Sequence, residues 1–200
     1  MAEENKKEVE QLERPSLDDL RAELKRENNK KEYSKVFRNT IVILVVVAAL
    51  SVLISSFFVT VLKVTGESMS PTLESGQIVL ASNSKEFEAG ELIAFYYNNK
   101  VLIKRVIGSP GDWINIDSDG NVYVNGVLLE ETYLTEKSLT PTDITFPYQV
   151  PENRYFVLGD HRSVSIDSRS TTVGCVSEEQ LIGKVLFRLY PINVVGKLSN

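Results

Sequence analysis

The sequence predicts a mostly β domain that is preceded by a single membrane-spanning α-helix. Two observations indicate this fold class. Ile41–Leu62 is a run of 22 residues without a charge, whereas the chain after Thr72 consists of short β-rich runs separated by turn residues. The predicted division is therefore an N-terminal arm over residues 1–38, a membrane helix over 39–62 and a β domain over 63–200.

The N-terminal arm is rich in Glu, Lys and Asn, and it carries ten basic and ten acidic side chains. This composition is typical of a solvated or disordered segment. A helix start is predicted at Ser16, because Ser16-Leu17-Asp18-Asp19 is similar to a capping box and further leucines follow at helical spacing. We expect a solvated helix or a flexible tail here.

The apolar run Ile41–Leu62 is long enough to cross a membrane. As a helix it would measure about 33 Å, against a hydrocarbon core of roughly 30 Å. A cleaved signal peptide would instead have an apolar region of about 7–15 residues near the N-terminus. Several cations precede the run and only Lys63 closely follows it, so the positive-inside rule predicts a cytoplasmic N-terminus and an extracytoplasmic domain over 63–200. The preceding cations are Lys25, Arg26, Lys30, Lys31, Lys35 and Arg38.

The second part of the chain shows the alternation and turn signals of an all-β domain. Asn125-Gly126 predicts a tight hairpin turn, and Glu130–Val150 predicts an irregular insertion or mobile loop. The predicted strands are Gln77–Ser82, Glu91–Tyr97, Val101–Ile107, Trp113–Ile116, Asn121–Val124, Val127–Leu129, Tyr155–Leu158 and Val185–Leu189.

Composition excludes several classes of function. The net charge of −5 argues against a nucleic-acid partner, and the acidic excess lies entirely in residues 63–200. The single cysteine, Cys175, excludes an intrachain disulfide and a CxxC metal site. The single histidine, His161, excludes a zinc site built from several imidazoles.

Ser68 lies in a short segment punctuated by Gly66 and Pro71, where a hydroxyl can be held outward. A serine needs a base to become a nucleophile. The composition permits a triad of Ser68 and His161 with Asp160 or Asp167, although no spacing singles it out.

Lys104 offers another base for Ser68. On a strand it shares a face with Leu102 and Val106, and desolvation between apolar neighbours would lower its pKa. The alternative is a lysine on an edge strand whose amine extends to solvent. A third polar segment, Gly159–Arg169, follows an apolar strand and packs hydroxyls, carboxylates and guanidinium groups into eleven residues. Its arginines and aspartates can form bidentate pairs that make a loop rigid, and Ser165 can orient a lysine amine.

Three ordered motifs together resemble a known family. They are Ser-Met-Ser-Pro-Thr-Leu at residues 68–73, Lys-Arg-Val-Ile-Gly-Ser-Pro-Gly-Asp at 104–112, and Gly-Asp-His-Arg-Ser-Val-Ser-Ile-Asp-Ser-Arg at 159–169. Following a membrane anchor, this order is similar to that of bacterial type I signal peptidases, the membrane-anchored Ser/Lys-dyad leader peptidases. The resemblance extends from about Gly66 to Pro191 and implies a signal-peptidase-like β-fold in the extracytoplasmic domain.

The resemblance implies a role for each matching residue. Ser68 would be the nucleophile, Lys104 the general base and Ser165 the residue that orients the lysine. The residues that shape and brace the site would be Asp160, Arg162, Asp167 and Arg169, with Arg105 in support; Met69 and Pro71 would bind substrate. Val64 and Leu73 are expected to line small pockets, to dip toward lipid or to lie in the core.

By the same resemblance, the substrates are exported preproteins, cut after small Ala-x-Ala-like residues through an acyl-enzyme. This mechanism would need neither a metal nor an organic cofactor. The partners would be these preproteins, the lipid bilayer and the secretion translocon. The single short anchor is similar to that of Gram-positive members, which implies a bacterial cell-membrane protein. Two positions depart from the family pattern: Gly66 stands where some members carry an oxyanion-hole serine, and His161 stands where asparagine is common.

Three rival interpretations remain at this stage. A sortase-like cysteine transpeptidase would use Cys175 with His161 and an arginine. An inactive homologue acting in assembly or as an anchor would lack the Ser/Lys pair, and both residues are present. Self-cleaving repressor proteases share Ser/Lys chemistry but do not need a membrane span.

Overall fold

The structure is a computed structural model that describes residues 16–198. The first fifteen residues of the predicted arm lie outside the described residues. Two compact units meet along the chain between Ile54 and Ser55.

The first unit contains most of one long helix, α1 (Leu17–Phe58). The Ser16 hydroxyl accepts a hydrogen bond from the Asp19 backbone N–H at 3.2 Å, so the predicted cap forms. The stretch Leu17–Ser55 is long and apolar enough to cross a membrane by length and composition. The predicted fold class, mostly β with one N-terminal apolar helix, is confirmed.

The helix ends earlier than the predicted boundary at residue 62. It stops at Phe58, and the next five residues form a strand instead. The backbone N–H of Asn83 donates to the Phe58 carbonyl at 3.1 Å, and its side-chain amide donates to the Phe57 carbonyl at 2.7 Å. These bonds satisfy carbonyls that a helix end leaves without partners. The following β-branched residues then pair with a neighbouring strand.

The second unit is built from strands in two antiparallel sheets. The larger sheet has the order β1-β2-β11-β3-β4-β9-β10, with β12 paired to β11, and the smaller sheet has the order β7-β6-β5-β8. The strands are β1 (Val59–Lys63), β2 (Ile78–Ser82), β3 (Leu92–Tyr97), β4 (Lys100–Gly108), β5 (Trp113–Ile116), β6 (Val122–Val124), β7 (Val127–Leu128), β8 (Tyr148–Gln149), β9 (Arg154–Leu158), β10 (Val176–Ser177), β11 (Leu181–Tyr190) and β12 (Gly196–Lys197). Short 3-10 helices cover Glu178–Gln180 and Ile192–Val194.

The hairpin between β6 and β7 has the predicted turn. Asn125 and Gly126 both adopt positive φ, 52° and 80°, as a tight type I′ turn requires. The segment after β7 is irregular until β8, also as predicted. Three buried apolar clusters hold the sheets together, and Val64, Met69 and Leu73 all lie in one of them.

The edge of β4 leaves room for a further strand. Along Lys100–Arg105, β4 pairs with β3, but β9 pairs with its other edge only from Arg105 onward. In residues 16–198, no strand pairs with that second edge over residues 100–104. β1 is likewise at the end of the sheet order. Unpaired backbone groups of this kind are ready to bind an extended peptide.

Candidate active site

Lys104 is buried in the middle of β4 with only 2% of its surface exposed. Its Nζ donates a hydrogen bond to the Ser165 hydroxyl at 2.9 Å. Burial, assisted by the Arg169 charge, lowers the pKa of Lys104 from 10.5 to about 8, although Asp167 and Asp160 act in the opposite direction. A substantial fraction of such an amine is neutral at mildly alkaline pH, so it can accept a proton.

Ser68 lies in a tight turn that follows β1. The Ser70 N–H donates to the Glu67 carbonyl at 3.0 Å, and the backbone N–H of His161 donates to the Ser68 carbonyl at 3.1 Å. Gly66 has a φ of 86°, in the left-handed region that favours glycine. The Ser68 side chain is half-buried and borders a groove. The turn is therefore fixed to the polar segment that begins at Gly159.

Gly159 brings the main chain of Ser68 close to the hydroxyl that binds Lys104. A Cβ at this glycine would lie 2.5 Å from the Ser68 carbonyl oxygen and 2.2 Å from the Ser165 Oγ. Only a residue without a side chain fits between them. The serine turn, the polar segment and the lysine strand thus meet at this point.

Asp160 joins the same three segments through buried hydrogen bonds. Arg105 donates to it twice, from Nε to Oδ1 at 2.9 Å and from a terminal nitrogen to Oδ2 at 2.6 Å. The Thr72 hydroxyl, four residues after Ser68, also donates to Oδ2. Arg105 and Asp160 are 1% and 0% exposed, so this bidentate pair is protected from solvent.

A second buried pair holds the end of the polar segment. Arg169 donates to Asp167 from Nε at 2.8 Å and from a terminal nitrogen at 2.9 Å. Asp167 also accepts the Gly159 N–H at 3.0 Å, and Arg169 donates to the Arg162 carbonyl at 2.7 Å. Arg162 in turn donates from Nε to the Gly159 carbonyl at 3.1 Å. The backbone around the glycine is thus held from both sides.

A groove of about 530 Å³ runs past the serine. Residues 62–66, 68 and 69 line one side, and residues 100–103, on the unpaired edge of β4, line the other. Met69 borders the groove while its side chain is buried. Pro71, which the resemblance assigned to substrate binding, is exposed and is not one of the groove-lining residues.

His161 and Cys175 have separate environments. The His161 ring contacts the Glu67 carbonyl through Nδ1 at 3.3 Å and the Glu136 carboxylate through Nε2 at 3.7 Å. Cys175 is 5% exposed in an apolar cluster next to Tyr148, and burial raises the pKa of its thiol. A buried thiol with a raised pKa is not an activated nucleophile, which removes the basis of the sortase-like interpretation.

Sequence reasoning missed the contribution of the irregular segment after β7. Glu131 forms a buried ion pair with Arg162, and the Tyr133 ring stacks on the Arg105 guanidinium at 3.8 Å from its centroid. No periodicity or motif marks these two residues in the sequence. The sequence signal for a role in the site is limited to a carboxylate and an aromatic side chain within the segment predicted to be irregular.

Comparison of the sequence with known proteins identifies one family. The family model described as signal peptidase, peptidase S26, matches residues 37–190. A signal peptidase I of Bacillus amyloliquefaciens is 32% identical over 165 residues, which is 77% of this chain and 88% of that protein. A signal peptidase IB of Staphylococcus aureus is 37% identical over 161 residues, covering 70% and 83%.

A crystal structure of a signal peptidase I from Enterococcus faecalis V583 also matches, with 32% identity and a TM-score of 0.41. It covers 50% of this chain and 96% of that one. The family model spans most of the chain, including all three motifs and the groove. The resemblance seen in the motifs is confirmed, and the chain belongs to the signal peptidase family of serine endopeptidases, peptidase S26.

Proposed function

We propose that this peptidase removes signal peptides from exported preproteins, with Ser68 as nucleophile and Lys104 as general base. The observation that carries the proposal is the state of Lys104: it is 2% exposed, has a pKa of about 8, and its amine is 2.9 Å from the Ser165 hydroxyl. A lysine exposed to water would be almost entirely protonated at neutral pH and would be a poor base.

The reaction is an acyl transfer in two steps. Neutral Lys104 takes the proton of the Ser68 hydroxyl while the oxygen attacks the scissile carbonyl, and backbone donors including the Ser68 N–H stabilise the oxyanion. The resulting ammonium then protonates the leaving amine as the peptide bond breaks. Water, deprotonated by the same amine, hydrolyses the ester, and the proton returns to Ser68. Ser165 holds the lysine amine in position through these steps.

The groove suits an extended peptide. Its walls are the unpaired edge of residues 100–103 and the segment before Ser68, so a substrate strand can hydrogen-bond to backbone groups. Met69 and other apolar side chains would leave shallow pockets that exclude large residues, which supports cleavage after small Ala-x-Ala-like residues. Pro71 has less support as a substrate contact, because it lies outside the groove lining.

The proposal includes the site of action. The cations before the apolar part of α1 favour a cytoplasmic N-terminal arm, a single span in the lipid bilayer and an extracytoplasmic domain from residue 63. Preproteins that emerge from the translocon on the outer side of the membrane would then meet the extracytoplasmic domain that carries Ser68. The Bacillus and Staphylococcus relatives favour a Gram-positive source.

The test is cleavage of a preprotein by the detergent-solubilised chain. Ser68→Ala and Lys104→Met should each lose at least about 10³-fold in kcat, because each removes a reacting group. Matched controls are Ser70→Ala in the same turn and Lys85→Met at an exposed position outside the groove lining, which should cleave normally. Cleavage that persists in Ser68→Ala or Lys104→Met would refute the dyad, and a wild type that binds but never cleaves would favour the inactive-homologue interpretation.

A further inference from the structure

The irregular stretch at residues 131–140, called here the arginine-binding segment, contacts all three buried arginines of the site. Glu131 pairs with Arg162, and the Tyr133 ring covers the Arg105 guanidinium. The carbonyls of residues 138 and 140 accept hydrogen bonds from Arg169 at 2.8 and 3.0 Å. The sequence motifs supply the guanidinium groups, but this segment supplies partners that those motifs lack.

Glu131 neutralises the Arg162 guanidinium, which would otherwise be buried without a carboxylate partner. Its side chain and that of Arg162 are each 1% exposed, and the second Arg162 nitrogen donates to the carboxylate at 3.2 Å. A buried guanidinium without a carboxylate is costly and moves toward solvent. Arg162 also holds the Gly159 carbonyl, and Gly159 separates the Ser68 carbonyl from the Ser165 hydroxyl. Glu131 therefore acts on the reacting groups through Arg162.

Tyr133 acts on the other side of the site. Its ring covers the guanidinium of Arg105, the residue after Lys104, with 3.8 Å between the ring centroid and Cζ, and its hydroxyl donates to Glu131 at 2.7 Å. Stacking and the bidentate bond to Asp160 fix the Arg105 guanidinium from two directions. Asp160 in turn accepts a hydrogen bond from the hydroxyl of Thr72, which belongs to the Ser68 turn. The tyrosine thus links the lysine strand, the serine turn and the glutamate.

We propose that Glu131 and Tyr133 are positioning residues for the Ser68/Lys104 reaction, holding the buried arginines so that the serine turn and the lysine keep their relative geometry. The inference rests on the proposed function. None of the groove-lining residues belongs to the arginine-binding segment. Loss of either side chain should therefore lower kcat and leave KM nearly unchanged.

The test uses the full chain in detergent and two matched pairs of variants. Glu131→Gln removes the charge and keeps the shape, whereas Glu131→Asp keeps the charge. Tyr133→Leu removes the ring, whereas Tyr133→Phe keeps it over Arg105. We expect kcat to fall about 10- to 100-fold in Glu131→Gln and Tyr133→Leu, because small misplacements of reacting groups are costly. Tyr133→Phe should stay within about threefold of wild type.

The rate per folded molecule separates positioning from a merely structural role. The charged groups that act on Lys104 are Asp160, Asp167 and Arg169, and neither Glu131 nor Arg162 is among them. The ascending limb of kcat/KM should therefore stay at the wild-type pH in Glu131→Gln, while kcat per folded molecule falls in Glu131→Gln and recovers in Glu131→Asp. Near-UV circular dichroism gives the folded fraction. A simple loss of folded molecules would leave kcat per folded molecule at the wild-type value.

Two outcomes would overturn the inference. One is wild-type kcat in both Glu131→Gln and Tyr133→Leu. The other is a rate in Glu131→Gln that returns to the wild-type value once it is divided by the folded fraction, which would assign Glu131 to folding alone. If Glu131→Gln does not fold, the comparison of Tyr133→Leu with Tyr133→Phe tests the inference. Equal kcat in these two variants would contradict the role of the ring. Ser68→Ala in the same assay distinguishes the two proposals. Activity that remains in Ser68→Ala would contradict the Ser68/Lys104 dyad, whereas the proposal for the arginine-binding segment is tested by the Glu131 and Tyr133 variants.

Discussion

Lys104 illustrates at the scale of a single residue how a reactive group costs stability. Its pKa falls from 10.5 to about 8, and burial is the largest cause. This change corresponds to a penalty of roughly 3 kcal/mol for holding the charged amine in the folded state. The Ser165 hydroxyl and the nearby carboxylates offset only part of the loss of water. The residue is therefore expected to lower stability in exchange for basicity.

Lys104→Met should make the protein more stable at neutral pH. A lysine whose pKa is lowered by folding destabilises the folded state below the folded pKa, and the penalty disappears as pH rises toward the unfolded value. The expected gain is about 1–3 kcal/mol at pH 7, shrinking to near zero above pH 10. Thermal unfolding of the detergent-solubilised chain at both pH values measures it. Lys100→Met, at an exposed position, is the control, and a less stable Lys104→Met at pH 7 would contradict the account.

The sequence predicts from strand alternation that Lys104 shares a face with two apolar residues, and of the two alternatives for its side chain the structure shows the buried one. The sequence could not predict the partners of Arg162 and Arg105. Glu131 is 31 residues from Arg162 in sequence and lies in a segment without periodicity. Contacts of that kind depend on how an irregular chain folds over a finished sheet, and no local pattern encodes them.

At the scale of the element, the turn at Gly159 determines how the strand β9 delivers the polar segment to the serine. The N–H of this glycine donates to Asp167 and its carbonyl accepts from Arg162, so its backbone is fully used. The Ser68 carbonyl and the Ser165 hydroxyl occupy the space that a side chain would need. The close approach of the three segments therefore depends on the absence of one methyl group.

Gly159→Ala should disrupt the site more than its size suggests. The new Cβ must displace the Ser68 backbone or the Ser165 hydroxyl, so we expect kcat to fall at least about 100-fold and stability to fall by roughly 2–4 kcal/mol. The matched control is Gly196→Ala in β12, where nothing lies within 4 Å of an added Cβ. Peptide cleavage and thermal unfolding measure both effects. Gly159→Ala with wild-type kcat would show that the turn tolerates expansion.

Local sequence patterns predict the ends of helices and the shortest strands less well than most of the longer strands. The sequence predicts Val59–Leu62 as the end of the membrane helix because these residues continue the apolar run, and only the pairing of β1 with β2 identifies them as part of a strand. β8, β10 and β12 have two residues each, which is too short for an alternating pattern. The strands β2, β3, β4, β5 and β9 begin and end within a residue of their predicted bounds, whereas the longest strand, β11, begins four residues before its predicted start at Val185.

At the scale of the whole molecule, the apolar helix and the residues of the candidate active site lie in different parts of the chain. The apolar stretch of α1 belongs largely to one unit, while the serine, the lysine and the polar segment all belong to the other. Charge follows the same division, because the arm is neutral and residues 63–200 carry twelve basic and seventeen acidic side chains. The cations before the span therefore decide the proposed orientation.

Protease added to the outside of intact protoplasts should reach the β domain and spare the N-terminal arm. The cations at residues 25–38 should retain the arm in the cytoplasm. Antibodies against tags at the two termini report which end is digested. Replacing the lysines and arginines of this stretch with glutamine should weaken the orientation bias. Protection of the C-terminal tag in intact protoplasts would reverse the proposed topology.

The most direct test of the central claim is the pH dependence of kcat/KM for preprotein cleavage, in the wild type and in His161→Asn. If the buried Lys104 is the base, activity should rise with pH through about 8, with the same limb in His161→Asn. The asparagine amide can replace the ring Nδ1 as a donor to the Glu67 carbonyl, so this variant should stay folded. The ordinary pKa of histidine is about 6.5. An ascending limb near that pH in the wild type that disappears in His161→Asn would contradict the account.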